Sequence, residues 1–161
     1  MKLITIEPRY IEYLAKVDSR VRFNNGSRPY VGVVLHVGRL SYFAPLESIH
    51  KVTSFSSQLV VKVWGKSLNG EQQLLSVVRL NNMIPVSQAV CLPIDVQQLR
   101  SSNITKYNLL LKELNFLRVN SEVIKHKAAK LYKLRTTKQI AFIESICVDF
   151  KVLEQACCQY N

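Results

Sequence analysis

The spacing of apolar residues changes near residue 100, and this change limits the possible folds more than any other feature of the chain. Before it, short runs rich in β-branched and aromatic residues alternate with turn residues, as strands do. After it, apolar residues recur every three or four positions, which is typical of amphipathic helices. We therefore predict an α+β fold in a single domain over residues 1–161, mainly β over 1–100 and mainly helical over 101–161.

The individual elements follow from local signals. Predicted strands cover Leu3–Ile6, Tyr30–Val37, Leu40–Leu46, Leu59–Trp64 and Leu74–Leu80. Predicted helices cover Arg9–Val17, Tyr107–Leu117, a segment from Glu122 onward and one last helix that carries Ile143, Ile146, Phe150 and Leu153. Because many short antiparallel strands lie close together in the chain, a small β barrel is favoured over a wide open sheet. Trp64 lies in an apolar run and is expected in the core.

The net charge indicates an anionic partner. Lys and Arg outnumber Asp and Glu by 22 to 11, so the formal net charge is +11. Such an excess favours nucleic acid, an anionic membrane or an acidic protein, because neutralising phosphates releases counterions.

One stretch of the helical part, residues 107–138, is strongly one-signed in charge. Between residues 107 and 138 only Glu113 and Glu122 oppose the cations. Like charges three or four positions apart destabilise a helix unless something neutralises them, and an RNA backbone is a suitable neutraliser. Tyr107 and Tyr132 are candidate base-stacking surfaces. The predicted RNA-binding residues are Lys112, Arg118, Lys125, Lys127, Lys130, Lys133 and Arg135.

Several classes of protein are disfavoured. The four cysteines form no CxxC pair and the three histidines are scattered, so neither a disulfide framework nor a zinc site is expected. Nucleotide-binding loops and the hydrolase and metalloprotease motifs are absent from the sequence, so no cofactor and no metal are expected. The apolar runs are too short for a signal peptide or a membrane span, which favours a cytoplasmic protein without a membrane partner.

A polar cluster follows the strand that contains Tyr42–Leu46. Glu47, Ser48, His50 and Lys51 come directly after this apolar run. Cleaving RNA without a metal requires a base for the 2′-hydroxyl proton, an acid for the departing 5′ oxygen and cations for the phosphate charge. His50 titrates near neutral pH, while Lys51 and Arg28 can hold phosphate oxygens. A solvated loop after an edge strand would have the same composition, so both interpretations stay open at this point.

Several segments, taken in order, carry a resemblance to a known family. They include Tyr10–Leu14, Arg28–Leu35, Tyr42–Leu46, Leu80–Val86, Tyr107–Arg118, Lys130–Leu134 and Cys147–Glu154. In this order the chain resembles the ToxN/AbiQ family, the endoribonuclease toxins of type III toxin–antitoxin systems. No single motif is specific to that family, but the ordered set is.

The resemblance implies both a fold and an activity. The fold would be a compact, strongly bent MazF/CcdB-like antiparallel β barrel with added C-terminal helices. The activity would be that of a sequence-selective, metal-independent endoribonuclease that leaves 2′,3′-cyclic phosphate and 5′-hydroxyl ends.

The resemblance also implies partners. The inhibitor would be a repeat RNA folded as a pseudoknot, cut from its precursor by the toxin and bound in a closed cyclic protein–RNA assembly. The substrates would be cellular or phage mRNA, with a role in phage defence. Neither DNA nor membrane is expected as a partner.

The family pattern transfers to this chain with three departures. Ser48 matches the family serine, and the catalytic lysine position falls on His50, or on Lys51 if the loop shifts by one residue. Arg28 replaces another family lysine, and Tyr10 matches an active-site tyrosine that would orient the ribose or a base. Glu47 stands where a hydroxyl is usual, and a carboxylate there would repel the scissile phosphate.

Two alternatives stay open, the first because of these departures and the second because of the implied fold alone. The chain could be a catalytically degenerate RNA-binding module on the same scaffold, with Glu47 and His50 marking the degenerate site. A protein-directed toxin such as a gyrase poison is a weaker option, because a protein target gives no reason for the basic helices.

Overall fold

The computed structural model describes residues 1–22, 29–49, 57–67 and 69–160. Its strands are β1 (Leu3–Ile6), β2 (Tyr30–Val37), β3 (Leu40–Ser48), β4 (Val60–Lys66), β5 (Gln72–Arg79), β6 (Ile84–Val86) and β7 (Cys91–Pro93). Its helices are α1 (Pro8–Val17), α2 (Val96–Ser102), α3 (Ile104–Val119), α4 (Ser121–Thr137), α5 (Ala141–Ile146) and α6 (Phe150–Gln159). The α+β prediction is therefore confirmed, and α2 is a helix that the sequence analysis missed.

The sheet is antiparallel and open. Its strands follow the order β4-β5-β3-β2-β1-β7, and β6 pairs with β3 beside this path. In the described part of the chain β4 and β7 are the two ends of that order and do not pair with each other. The predicted closed barrel is therefore wrong: strand content follows from local residue preferences, whereas closure depends on long-range pairing of the first and last strands.

Strand β3 joins the two halves of the sheet. Its residues Ser41–Phe43 pair with β6, and Leu46–Ser48 pair with β5 on the same side. Pro45 lies at the change of partner, where a residue without an N–H breaks no ladder bond. On the other side, the Leu46 N–H donates to the carbonyl of Pro29 at 2.9 Å. This long strand carries the Glu47–Ser48 end to the rim of the sheet.

The helices pack around the sheet over one shared hydrophobic core. Helix α4 packs on β2, α3 on β4 and β5, and α6 on β6 and α1. Buried residues from strands and helices, among them Ile6, Leu14, Val63, Leu117 and Leu153, belong to the same core cluster. In the described part of the chain no helix is long and apolar enough to cross a membrane.

The predicted last helix is in fact two. Residues 147–149 interrupt it, and the Asp149 side chain caps α6 by accepting hydrogen bonds from the N–H groups of Lys151 and Val152 at 3.1 and 3.2 Å. The Asp149 N–H in turn donates to Asp18 at 2.7 Å. A tertiary hydrogen bond therefore stabilises the break.

Two side-chain predictions also have clear outcomes. The cysteines Cys91, Cys147, Cys157 and Cys158 are free thiols, which confirms that they form no disulfide framework. Trp64 is 39% exposed, so its predicted place in the core is wrong. It shares the outer face of β4 with Lys62 and Lys66, because strand residues two apart point to the same side.

Candidate functional site

The rim at the end of β3 holds the described part of the predicted catalytic cluster. Glu47 is buried and Ser48 is exposed, because successive strand residues point to opposite faces. The predicted residues Arg28, His50 and Lys51 lie outside the described residues.

The described neighbours of those residues meet at this rim. Pro29, which follows Arg28 in the sequence, accepts the hydrogen bond from Leu46. Arg22 Nη1 lies 3.5 Å from Glu47 Oε1. Ile49, which precedes His50 in the sequence, follows Ser48 directly. Pro29 and Ile49, which adjoin Arg28 and His50 in the sequence, therefore both lie near the end of β3.

Glu47 is an internal ion-pair partner. Its side chain is 3% exposed, and Arg79 Nε donates to its Oε2 at 2.6 Å. Arg79 lies two residues beyond Val77, which is the cross-strand partner of Glu47, so both side chains occupy one face of the sheet. Together with Arg22, this group holds two guanidinium cations and one carboxylate. The repulsion expected between Glu47 and a phosphate is therefore offset by the two arginines.

A cavity of about 490 Å³ adjoins this ion-pair group. We call it the arginine cavity, and it is lined by Arg20, Arg22, Arg79, Asn81, Asn82, Phe142, Ser19, Leu59, Val60, Ser145 and Ile146. Most of these residues are far apart in the sequence, and the sequence analysis did not identify the cavity. The one available signal was that Asn81 and Asn82 belong to a segment that carries the family resemblance.

Arg20 is held in this cavity by Asp18. Its Nε and Nη2 donate to the two Asp18 oxygens at 2.8 and 2.9 Å, and its Nη1 donates to the carbonyl of Glu144. Burial by itself would raise the pKa of Asp18, but hydrogen bonds from Arg20 and from the Asp149 backbone hold that pKa below its ordinary value. The carboxylate stays ionised and positions the guanidinium.

Tyr10 is a packing residue in this structure. It is 1% exposed, its hydroxyl donates to the carbonyl of Pro85 at 2.7 Å, and its ring lies edge-on to Tyr160. Burial, followed by the neighbouring Cys157, raises the pKa of Tyr10 far above its ordinary value. This geometry does not support the predicted contact of Tyr10 with a ribose or a base.

Six of the seven predicted RNA-binding residues lie at least partly on the surface. Arg118, Lys130 and Lys133 are exposed, while Lys112 and Lys127 donate to the carbonyls of Lys66 and Ser57 at 2.7 and 3.2 Å. Lys125 pairs with Glu122 at 2.8 Å. The second acidic residue of the region, Glu113, is buried, and burial raises its pKa. The surface of this region is therefore more strongly positive than the sequence count indicates.

Arg135 and Tyr132 belong to the interior instead. Arg135 donates to Asp149 at 2.8 Å and its side chain is largely buried. Tyr132 donates to Glu154 at 2.6 Å, and its ring stacks on Phe150. Both are predicted RNA contacts, but in the described geometry the Nη2 of Arg135 and the hydroxyl and ring of Tyr132 contact internal groups, which gives both residues structural roles.

The chain is similar to known proteins over almost its whole length. A family model described as "Toxin ToxN, type III toxin-antitoxin system" matches residues 2–158. The chain is 35% identical over 168 residues to the endoribonuclease ToxN of Bacillus thuringiensis subsp. kurstaki, covering 99% of this chain and 84% of that protein.

Two solved structures are similar over almost their whole length. One concerns a type III toxin–antitoxin system with selective toxin inhibition by a non-coding RNA pseudoknot; it has a TM-score of 0.84 and 34% identity, covering 99% of this chain and 96% of that one. The other is AbiQ, a lactococcal anti-phage endoribonuclease, with a TM-score of 0.83 and 27% identity over 99% and 96% of the two chains.

Proposed function

This chain belongs to the ToxN toxin family of type III toxin–antitoxin systems, and we propose that it is an active, sequence-selective and metal-independent endoribonuclease toxin. Its relatives are endoribonucleases by name. The proposed products carry 2′,3′-cyclic phosphate and 5′-hydroxyl ends. The observation that carries the proposal is the rim of β3, where Ser48 is exposed and the charge of Glu47 is compensated by Arg79 and Arg22.

The proposed reaction assigns one task to each residue. Ser48 donates a hydrogen bond to the scissile phosphate and Arg28 neutralises its charge. His50, with Lys51, takes the proton of the 2′-hydroxyl and returns a proton to the departing 5′ oxygen. The 2′ oxygen bonds to phosphorus as the bond to the 5′ oxygen breaks. Proton transfer of this kind contributes roughly 10²–10⁴-fold to the rate.

The proposed partners are RNA molecules. A repeat RNA folded as a pseudoknot inhibits the toxin, is processed by it and is held in a closed cyclic assembly. Cellular or phage mRNA in the bacterial cytoplasm is the substrate, and phage defence is the outcome. Inhibition by an RNA pseudoknot and anti-phage activity in related structures support this assignment, as do the six basic residues on the surface of α3 and α4.

Expression in a bacterium tests the activity. We expect the wild-type chain to stop growth and to generate RNA with 5′-hydroxyl ends, also in EDTA in vitro. Ser48→Ala and His50→Ala should be harmless, whereas His36→Ala, which changes an exposed histidine on β2, should stay toxic. A harmless wild-type chain that leaves RNA intact would contradict the proposal.

The alternative is a non-catalytic RNA-binding module. It is favoured by Glu47 and His50, which replace the hydroxyl and lysine usual in the family. Such a module would bind the repeat RNA with strong salt dependence and release no cyclic phosphate ends. Binding without any new RNA ends in the same experiment would favour this alternative.

A further inference from the structure

The arginine cavity lies at the same rim as Ser48 but on the other face of β3. Glu47, which anchors two of its arginines, directly precedes Ser48 in the strand. Its volume of about 490 Å³ is in the range of small-molecule sites. None of the roles assigned so far uses this space.

The charges of the cavity favour an anion. Arg20, Arg22 and Arg79 bring three guanidinium groups, which are held by the two carboxylates of Asp18 and Glu47. The group therefore keeps an excess of positive charge. Glu47 contacts Nε of Arg79 and Nη1 of Arg22. Because a guanidinium carries five N–H donors, these contacts leave other N–H groups of the two arginines to face an anion. Arg22 is also the more exposed of the two arginines, so it can reach a phosphate at the cavity mouth.

Asn81 lines the cavity, and its side chain holds an unused acceptor that is buried just behind the cavity surface. Its Nδ2 donates to the carbonyl of Ile146 at 2.8 Å, which sets the orientation of the amide. Its Oδ1 accepts no hydrogen bond from the residues that the structure describes, although the side chain is only 6% exposed. A buried acceptor without a partner is unfavourable, so an occupant with an N–H donor would be stabilised here. Every nucleobase carries such a donor.

Phe142 supplies an apolar surface beside these polar groups. It lies on α5, lines the cavity and is 61% exposed. An exposed aromatic ring beside cationic groups is the arrangement on which single-stranded RNA bases stack. Stacking is sequence-tolerant, whereas the donor and acceptor groups of the wall can distinguish bases.

We propose that the arginine cavity binds one nucleotide of the single-stranded RNA substrate near the cleaved bond. The base stacks on Phe142 and donates to Asn81 Oδ1 after a small shift of the Asn81 side chain toward the cavity, while Arg22 and Arg79 contact its phosphate. This inference rests on the proposed ribonuclease function and adds a specificity-determining site to it. The site is distinct from the groups that transfer protons.

Substitution of Phe142 tests the stacking contact. Phe142→Ala should lower kcat/KM for RNA cleavage by about 5- to 150-fold, the effect of losing one base–aromatic stack. Phe142→Trp, which keeps an aromatic ring, should retain most of the activity. Ile104→Ala, at a comparably exposed apolar residue at the start of α3, serves as the matched control and should cleave like wild type. Thermal unfolding verifies that each variant is folded.

Abasic substrates then identify the base that stacks on Phe142. Removing the base at one position near the cut should slow the wild-type enzyme strongly but cause a much smaller further loss in Phe142→Ala, because both changes delete the same stacking contact. Losses that multiply at every position, or a Phe142→Ala enzyme as active as wild type, would overturn this inference while leaving the ribonuclease function intact. A wild-type chain that cleaves no RNA would refute the proposed function, and this inference with it.

Discussion

Glu47→Gln distinguishes two opposite roles for the carboxylate at the end of β3. If Glu47 repels the scissile phosphate, neutralising it should speed RNA cleavage. If Glu47 anchors Arg79 and Arg22, as the contacts at 2.6 and 3.5 Å indicate, neutralising it should weaken the rim and slow cleavage. The amide is nearly isosteric with the carboxylate, so the comparison isolates charge from shape.

The expected size of the effect follows from the burial of this pair. Glu47 is almost fully buried and Arg79 is largely buried, so their hydrogen bond is charge-assisted and little screened by solvent. Losing a hydrogen bond to a charged group costs about 1.5–3 kcal/mol. For a chain of this size we expect the midpoint of thermal unfolding to fall by about 3–12 °C.

Urea and thermal unfolding measure this change, and single-turnover RNA cleavage measures the consequence at the site. Glu12→Gln is the matched control, because Glu12 pairs with Lys16 at 3.4 Å on the surface of α1, where both side chains are largely exposed. That control should change the free energy of unfolding by less than about 0.5 kcal/mol. A Glu47→Gln protein as stable as wild type that also cleaves RNA faster would refute the anchoring role.

Three further predictions concern Asp18, Tyr10 and the basic helices. The pKa of Asp18 is lowered in the folded protein, so its contribution to stability is present above its unfolded pKa and is lost as the pH falls through the folded pKa. Lowering the pH from 7 to 3 should therefore reduce the free energy of unfolding of wild type more than that of Asp18→Asn. Tyr10→Phe should lower the free energy of unfolding by about 1 kcal/mol through the lost bond to Pro85 and leave kcat unchanged in cleavage assays, whereas a large loss of kcat in a stable variant would restore a catalytic role. The double variant Lys130→Ala/Lys133→Ala should flatten the salt dependence of RNA binding without changing the free energy of unfolding, because both side chains are exposed. Arg135→Gln should instead lower the free energy of unfolding, because it breaks the ion pair with Asp149. Equal salt slopes in all variants would exclude this face of α4 as the RNA surface.

Local patterns predicted the elements more accurately than their arrangement. The strand predictions for Leu3–Ile6 and Tyr30–Val37 match the structure at both ends, because alternation and β-branched content are properties of consecutive residues. The exposure of Trp64 was also available from the sequence, since Lys62 and Lys66 two positions away mark an outward face of the strand.

Nonlocal contacts decided the remaining features. The gap between α5 and α6 is stabilised by the bond from Asp149 to Asp18, which lies 131 residues away in the chain. The openness of the sheet depends on strands at opposite ends of the strand order. Arg135 and Tyr132 resemble their exposed neighbours in sequence and differ from them only in what packs against them.

The sequence by itself determined the α+β class, the excess of positive charge and the family, because these depend on residue types and their order along the chain. Only the tertiary structure decided the role of Glu47. A carboxylate at the end of a strand repels a phosphate or positions two arginines according to which side chains lie within a few ångströms of it. Arg22 and Arg79 come that close only when β3 and β5 pair and the chain after α1 returns to the rim.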